Sequence, residues 1–294
     1  MIEKLTVSRI IFNIVNVSLM VVFCIICFAP LWHVAMSSIS DPRTLMMTLG
    51  INWLPAGGVQ WRAYEMVMQN KSIITGYMNT FIYVSAFTVL GLVLTSIAGY
   101  TLSCKTKLRV PIMIMLIFTM MFSGGLIPSY MVNQALGLIE NRLAVIIPGA
   151  TNAFYIIIMK NSFEQIPESL AESAKIDGAG PLRILIFILL PMVKATLAVI
   201  ALFLIMMKWN SWFHEAIYLT RSRDLWPLQL HMREILVQRD VSSVTAGEAQ
   251  SIANLMAAPV RNAVTIVGTL PILFVYPFVQ RYFVAGVTLG GVKG

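Results

Sequence analysis

Residues 10–32 run for twenty-three positions without a charged side chain. Hydrocarbon about 30 Å thick needs roughly 20 apolar residues per crossing helix, so this one stretch already binds the chain to a membrane. Comparable stretches cover residues 78–102, 110–131, 143–160, 191–208 and 263–285. The third is interrupted near its far end by Ser123-Gly124-Gly125. A chain of 294 residues that is 58% hydrophobic and 12% charged, with mean hydropathy +0.80, carries more apolar surface than one water-soluble core can hide. The expectation is an all-α polytopic membrane protein with six transmembrane helices, both termini on one side.

Lysine and arginine orient the spans. Lys4 and Arg9 precede the first, Lys105, Lys107 and Arg109 fill the short turn after the second, and Lys160, Lys175 and Arg183 accompany the connection after the fourth. These positions predict a cytoplasmic N-terminus over residues 1–9, a transmembrane domain over 10–285 and a cytoplasmic tail over 286–294. The connection 161–190 is then cytoplasmic, and the long connection 210–262 is extracytoplasmic. Arg221, Arg223, Arg233, Arg239 and Arg261 fall in that long connection, where charge weighs little in the rule. The first apolar run exceeds the about 7–15 residues of a secretory h-region and meets no small-x-small cleavage site before Pro30, so it reads as a retained helix. Cys24, Cys27 and Cys104 read as packing residues rather than a disulfide framework. A net charge of +8 suits anionic lipid and implies no nucleic acid.

Within this apolar chain, Glu172 to Pro191 reads ESAKIDGAGPLRILIFILLP. Pro167 suits the start of a helix, and Glu168 and Glu172 place negative charge near its positive end. Leu170, Ala171 and Ala174 form a small apolar face, and Gly178 is placed to end the helix. Gly180-Pro181 turns the chain, and residues 182–190 climb toward the bilayer until Pro191 breaks or kinks the path. A short helix outside the membrane, joined by glycines to the next span, is suited to a groove on a partner. Small residues would allow close approach there, while Glu172 or Asp177 makes charged contacts.

The spacing of Glu172, Ala174, Asp177, Gly178, Ala179, Ile188, Leu190 and Pro191 resembles the EAA signature of permease subunits of binding-protein-dependent bacterial ABC importers. Asp41-Pro42, the run Phe122-Ser123-Gly124-Gly125-Leu126-Ile127-Pro128, Ile166-Pro167, Trp209-Asn210 and the tail from Tyr282 to Gly294 extend the likeness over nearly the whole chain. They are similar to the carbohydrate, maltose-type family, and within it to permeases for complex oligosaccharides such as those of alginate or pectin. Ser173 departs from the usual Ala, and Lys194 stands near where a further Pro is common. The resemblance implies a type I importer fold with a cytoplasmic coupling helix, and ATPase coupling through Glu172, Ala174, Asp177, Gly178 and Ala179. It also implies a second homologous permease, two ATPase subunits, an extracytoplasmic solute-binding protein and a bacterial inner-membrane location.

The chain contains no Gly-x-x-x-x-Gly-Lys-Ser/Thr phosphate loop, so ATP and Mg belong to the partner ATPase and no cofactor is expected here. Closure of the ATPases would move the helix around Glu172 as a lever, with Gly178 and Gly180 as its joint. Polar residues inside spans face a cavity or a partner helix. From the pool Asn79, Ser123, Tyr130, Asn133, Thr151, Asn152, Tyr155, Trp209 and Asn210, the sugar path is assigned to Asn152, Tyr155, Trp209 and Asn210, whose amides and aromatic faces suit saccharides. Each also fits an interhelical hydrogen bond or an interfacial aromatic. The connection 210–262, with Trp212, His214, Trp226 and His231 among its arginines, reads either as a solvated basic loop or as a surface for the binding protein and for acidic saccharides such as alginate fragments. His33, His214 and His231 form no metal cluster. A membrane enzyme would need acid, base or nucleophile groups gathered in the spans, and a self-contained secondary transporter or channel would show repeats or a charge relay.

Overall fold

The computed structural model describes residues 7–241 and 256–274, which form helices joined by turns and loops with no strand among them. They divide into two units, one drawn from Met1–Lys71 with Met232–Thr269 and the other from Ser72–His231 with Leu270–Gly294.

The first unit opens on α1, Val7–Ser38, a 32-residue apolar helix with Pro30 inside it and none of its spanning window buried. Such a face needs lipid or another protein against it. Asp41 caps the short α2, Pro42–Met47, accepting from the Thr44 N–H at 3.0 Å. Those Thr44 bonds, joined by one from Gln60, hold its carboxyl below the usual range. His33 Nδ1 accepts from the Asn52 N–H at 3.0 Å, so it orders a loop. The helix α3 spans Arg62–Gln69.

The second unit is built on α4, Lys71–Ser103, 33 residues long and unbroken. Next come α5, Arg109–Met121, and α6, Leu126–Ala135, which meet at 117°. The elbow falls on the Ser123-Gly124-Gly125 interruption, where Gly125 takes φ +85. The stretch expected as one span over 143–160 is instead α7, Leu143–Ile146, a break at Pro148 and Gly149, and α8, Ala153–Glu164. Neither piece is long enough to cross a bilayer alone. α9 covers Glu168–Ile176, and α10, Pro181–Met192, contains a π-turn at Leu185–Leu189. It meets α11, Lys194–Trp209, at 88° across Val193, two residues past Pro191. Three described helices are each long and apolar enough to span, or five spans result if each bent pair counts as one. The last, Met256–Phe274, starts earlier than the expected 263, and its expected extension to 285 lies outside the described residues.

One core joins α4, α8, α9, α10 and α11 through Phe87, Met159, Phe163, Ala174, Ile184, Leu189, Ile200 and Leu204. Glycines on α4 let these helices close. A Cβ on Gly91 would lie 2.9 Å from both the Ala150 carbonyl oxygen and Leu204 Cδ1. Gly91→Ala should gain about 1 kcal/mol of helix propensity but lose about 1–3 kcal/mol to overpacking against a backbone atom that cannot yield. We expect a net fall in the melting temperature of the purified permease, and an unchanged or raised value would contradict this packing.

The connection expected as a long loop is not open where it is described. α12, Phe213–Tyr218, a 3-10 turn at Arg223–Leu225, and the start of α13, Leu228–Val241, fold back into the second unit. Asn79 Nδ2 donates to the Asp224 carbonyl at 2.7 Å, the Tyr83 hydroxyl to the Leu225 carbonyl at 2.7 Å, and the Leu228 N–H to Thr80 Oγ1 at 2.8 Å. Trp226, Leu228 and His231 are buried. The solvated-loop reading is therefore corrected for residues 213–231, because α4 supplies partners for backbone groups that would otherwise need water. Arg221 and Arg223 remain exposed.

Candidate coupling surface and transport cavity

Two places on the second unit gather polar chemistry. The first surrounds α9. Its C-terminus is closed by Gly178 at φ +79, with the Gly178 N–H on the Lys175 carbonyl at 3.0 Å and the Ala179 N–H on the Ala174 carbonyl at 2.9 Å. These two bonds make a Schellman cap, and Ala179 packs on the same core that buries Ala174. The small face of the helix is thus spent inside this chain rather than on a partner. Glu172, Ser173, Ile176 and Asp177 face outward, with Ile176 87% exposed, an unusual place for a bare isoleucine. Gly180 has φ −72 and ψ 163, which any residue adopts.

The basic turn after α4 is anchored to this helix. Lys105 Nζ lies 2.6 Å from Glu168 Oε1, Arg109 pairs with Glu164, and Lys160 Nζ lies 2.8 Å from Glu164 Oε2. The Lys105 hydrogen bond and charge hold the Glu168 carboxyl below the usual carboxylate range. The Lys105–Glu168 pair is exposed and screened by solvent, so it registers the parts more than it stabilises them. Between them opens a cleft of about 610 Å³ that also includes Tyr100, Cys104, Glu172 and Lys175. The turn and the motif loop, which the charge pattern assigned to one side, lie at one end of the unit.

The second place is a cavity of about 720 Å³ between α6, α7 and the turn from α11 to α12. Ser129, Asn133, Lys208, Ser211, His214, Glu215 and Tyr218 supply its polar wall among apolar neighbours. Lys208 Nζ donates to Glu215 Oε1 at 2.6 Å, and Ser211 Oγ lies 2.8 Å from both Glu215 oxygens. The two charged side chains are only 10% and 1% exposed. Asn133 Nδ2 donates to the Ser129 carbonyl at 2.8 Å and to the Tyr218 hydroxyl at 3.3 Å. Beyond this wall, Glu140, at φ +60, accepts the N–H groups of Arg221 and Ser222 at 2.9 Å each. Burial raises its carboxyl, but these donors outweigh that and leave it lowered.

The four residues assigned to the sugar path from sequence do not line this cavity. Asn152 caps α8 by accepting from the Phe154 N–H at 2.9 Å, and Tyr155 stacks on Phe203 at 6.1 Å. Trp209 is 4% exposed and packs on Tyr77 and Phe81, while Asn210 Nδ2 donates to the Met206 carbonyl at 2.9 Å. Sequence reasoning missed Lys208 and Glu215, which it divided between a span end and a loop. Their signal was a lone acid seven residues beyond a lone base, across a turn.

Bent apolar helices, a polar-walled cavity beside them, and a capped helix that packs on them while exposing its outer face are parts suited to the membrane subunit of a transporter. No family model matches the chain. It is 35% identical over 287 residues to the polygalacturonan/rhamnogalacturonan transport system permease protein YtcP of Bacillus subtilis (strain 168), covering 96% of this chain and 98% of that one. It is 38% identical over 234 residues to protein LplC of the same organism, covering 79% and 78%. A solved bacterial ABC transporter involved in the import of the acidic polysaccharide alginate has a chain that superposes with a TM-score of 0.85 at 31% identity, over 96% of this chain and 99% of that one. The chain belongs to the permease family of carbohydrate ABC importers, as its motif residues imply. It is a multi-pass membrane subunit rather than an enzyme, and ATP hydrolysis and solute capture fall to an ATPase and a binding protein.

Proposed function

We propose that this chain is one half of a heterodimeric permease that imports acidic oligosaccharides, with its N- and C-termini in the cytoplasm and six spans in the assembled state. Two ATPase subunits, holding ATP and Mg, seat beneath the two permeases, one of them on the outward face of α9, and an extracytoplasmic binding protein delivers the sugar. The observation that carries the coupling role is the exposed row Glu172, Ile176 and Asp177 on a helix whose opposite face is locked into the core by Ala174. Alternating access then follows from movement of α9 with α10 and α11, which share that core. An acidic cargo is supported by the names of two relatives, one a polygalacturonan permease and one an alginate importer.

The test is ATP hydrolysis by the reconstituted complex, stimulated by binding protein loaded in turn with galacturonate, alginate and neutral oligosaccharides. Stimulation by the acidic sugars is expected. Equal stimulation by neutral sugars would overturn the cargo, and uptake by this chain in vesicles without ATPases would overturn the coupling role in favour of a secondary transporter.

A further inference from the structure

We propose that Lys208 selects carboxylate-bearing sugars in the 720 Å³ cavity, with Glu215 and Ser211 holding its ammonium in place. The proposal rests on the acidic-oligosaccharide reading and deepens it. A buried ion pair costs more in desolvation than a well-packed apolar pair of the same size, so its presence calls for a use. Charged groups in membrane segments mark substrate routes when they face a cavity; Lys208 lies in the last turn of the apolar α11, Glu215 just beyond it on α12, and both line one.

The hydrogen bonding of the pair is unequal. Glu215 accepts at both oxygens, from Lys208 and Ser211 at Oε1 and from Ser211 at Oε2. Lys208 has three N–H donors and gives one to Glu215, with the Phe87 ring 5.3 Å from its nitrogen. The carboxylate is held and the ammonium keeps donors in reserve. Among the described residues lining the cavity, Lys208 is the only lysine or arginine. Asn133, Ser129 and Tyr218 offer neutral partners suited to sugar hydroxyls. A uronate carboxylate entering here would form a charge-assisted hydrogen bond to Lys208.

Glu215 also limits that bond. It neutralises the ammonium when the cavity is empty and repels the incoming carboxylate when it is full. Both effects keep affinity low enough for release, as a translocation path requires.

The experiment measures uptake into proteoliposomes bearing the whole complex, comparing a galacturonate trisaccharide with its neutral methyl ester. Wild type should prefer the acid. Removing both charges together, in Lys208→Met with Glu215→Gln, avoids an unpaired buried charge and should shrink the acid-to-ester ratio by roughly tenfold or more, the worth of one charge-assisted bond. Lys208→Arg should keep most of the preference. A wild-type preference that persists in the double variant would overturn this proposal alone. Wild-type uptake of only the ester would overturn the acidic cargo and this proposal with it.

Discussion

The Gly178→Pro permease should reach the membrane in normal amount and lose ATP hydrolysis stimulated by loaded binding protein. Proline locks φ near −65°, about 140° from the +79 that Gly178 takes, and it has no N–H to give the Lys175 carbonyl. It also pushes Asp177 away from the helical backbone it now holds at φ −72 and ψ 5. Both bonds of the Schellman cap go with it, and the last turn of α9 loses the geometry that presents Ile176 and Asp177. Gly178→Ala is the graded control. A Cβ there meets nothing within 4 Å, so only the left-handed backbone is penalised, by about 1–2 kcal/mol, and partial coupling should remain. Glu172→Lys tests the outward face without touching the cap, since Glu172 is exposed. It should also uncouple. ATP-driven uptake at the wild-type rate in both Gly178→Pro and Glu172→Lys would remove α9 from the coupling role.

The second large effect is on stability. Lys208→Met alone leaves the Glu215 carboxylate, 1% exposed, with no counter-charge and only Ser211 to solvate it. Breaking a buried pair in this way costs about 3–5 kcal/mol, a large share of the about 5–15 kcal/mol that holds a typical domain together. Replacing both members, as Lys208→Met with Glu215→Leu, removes the charge that would be stranded and should restore most of the loss. Thermal melts of purified permease read the difference directly. A single variant as stable as wild type, or a double variant as unstable as the single, would show that the pair is not desolvated.

Much of the site at α9 was legible because capping is local chemistry. Pro167, Glu168 and Gly178 each answer to the backbone within one or two turns, so the sequence places the helix to within a residue at both ends. The direction of its small face was not legible, since Ala174 would suit a partner's groove as well as its own core. The elbows show the same division. Ser123-Gly124-Gly125 and Pro191 marked where the chain bends, but a glycine or proline sets no angle, and the 117° and 88° were not legible from them. The packing of residues 213–231, which rules out the solvated-loop reading there, was not legible because their partners Asn79, Thr80 and Tyr83 lie more than 140 residues earlier. Composition alone shows arginines and tryptophans and says nothing about which backbone groups another helix will satisfy. Lys208 and Glu215 were hidden for a related reason: each taken singly is an ordinary surface residue, and only the turn between α11 and α12 turns them into a pair.

Among the described helical routes between the two ends of the second unit, α4 alone has neither an elbow nor a proline. At about 1.5 Å per residue its 33 residues reach about 50 Å. Near its start, Asn79, Thr80 and Tyr83 grip the segment 224–228, and just past its finish Lys105 and Arg109 grip Glu168 and Glu164. A rod clamped at both tips works as a strut beside two jointed limbs. Under the proposed coupling, a displacement at α9 would reach the opposite end as a tilt of the whole rod, because the rod offers no joint at which to bend.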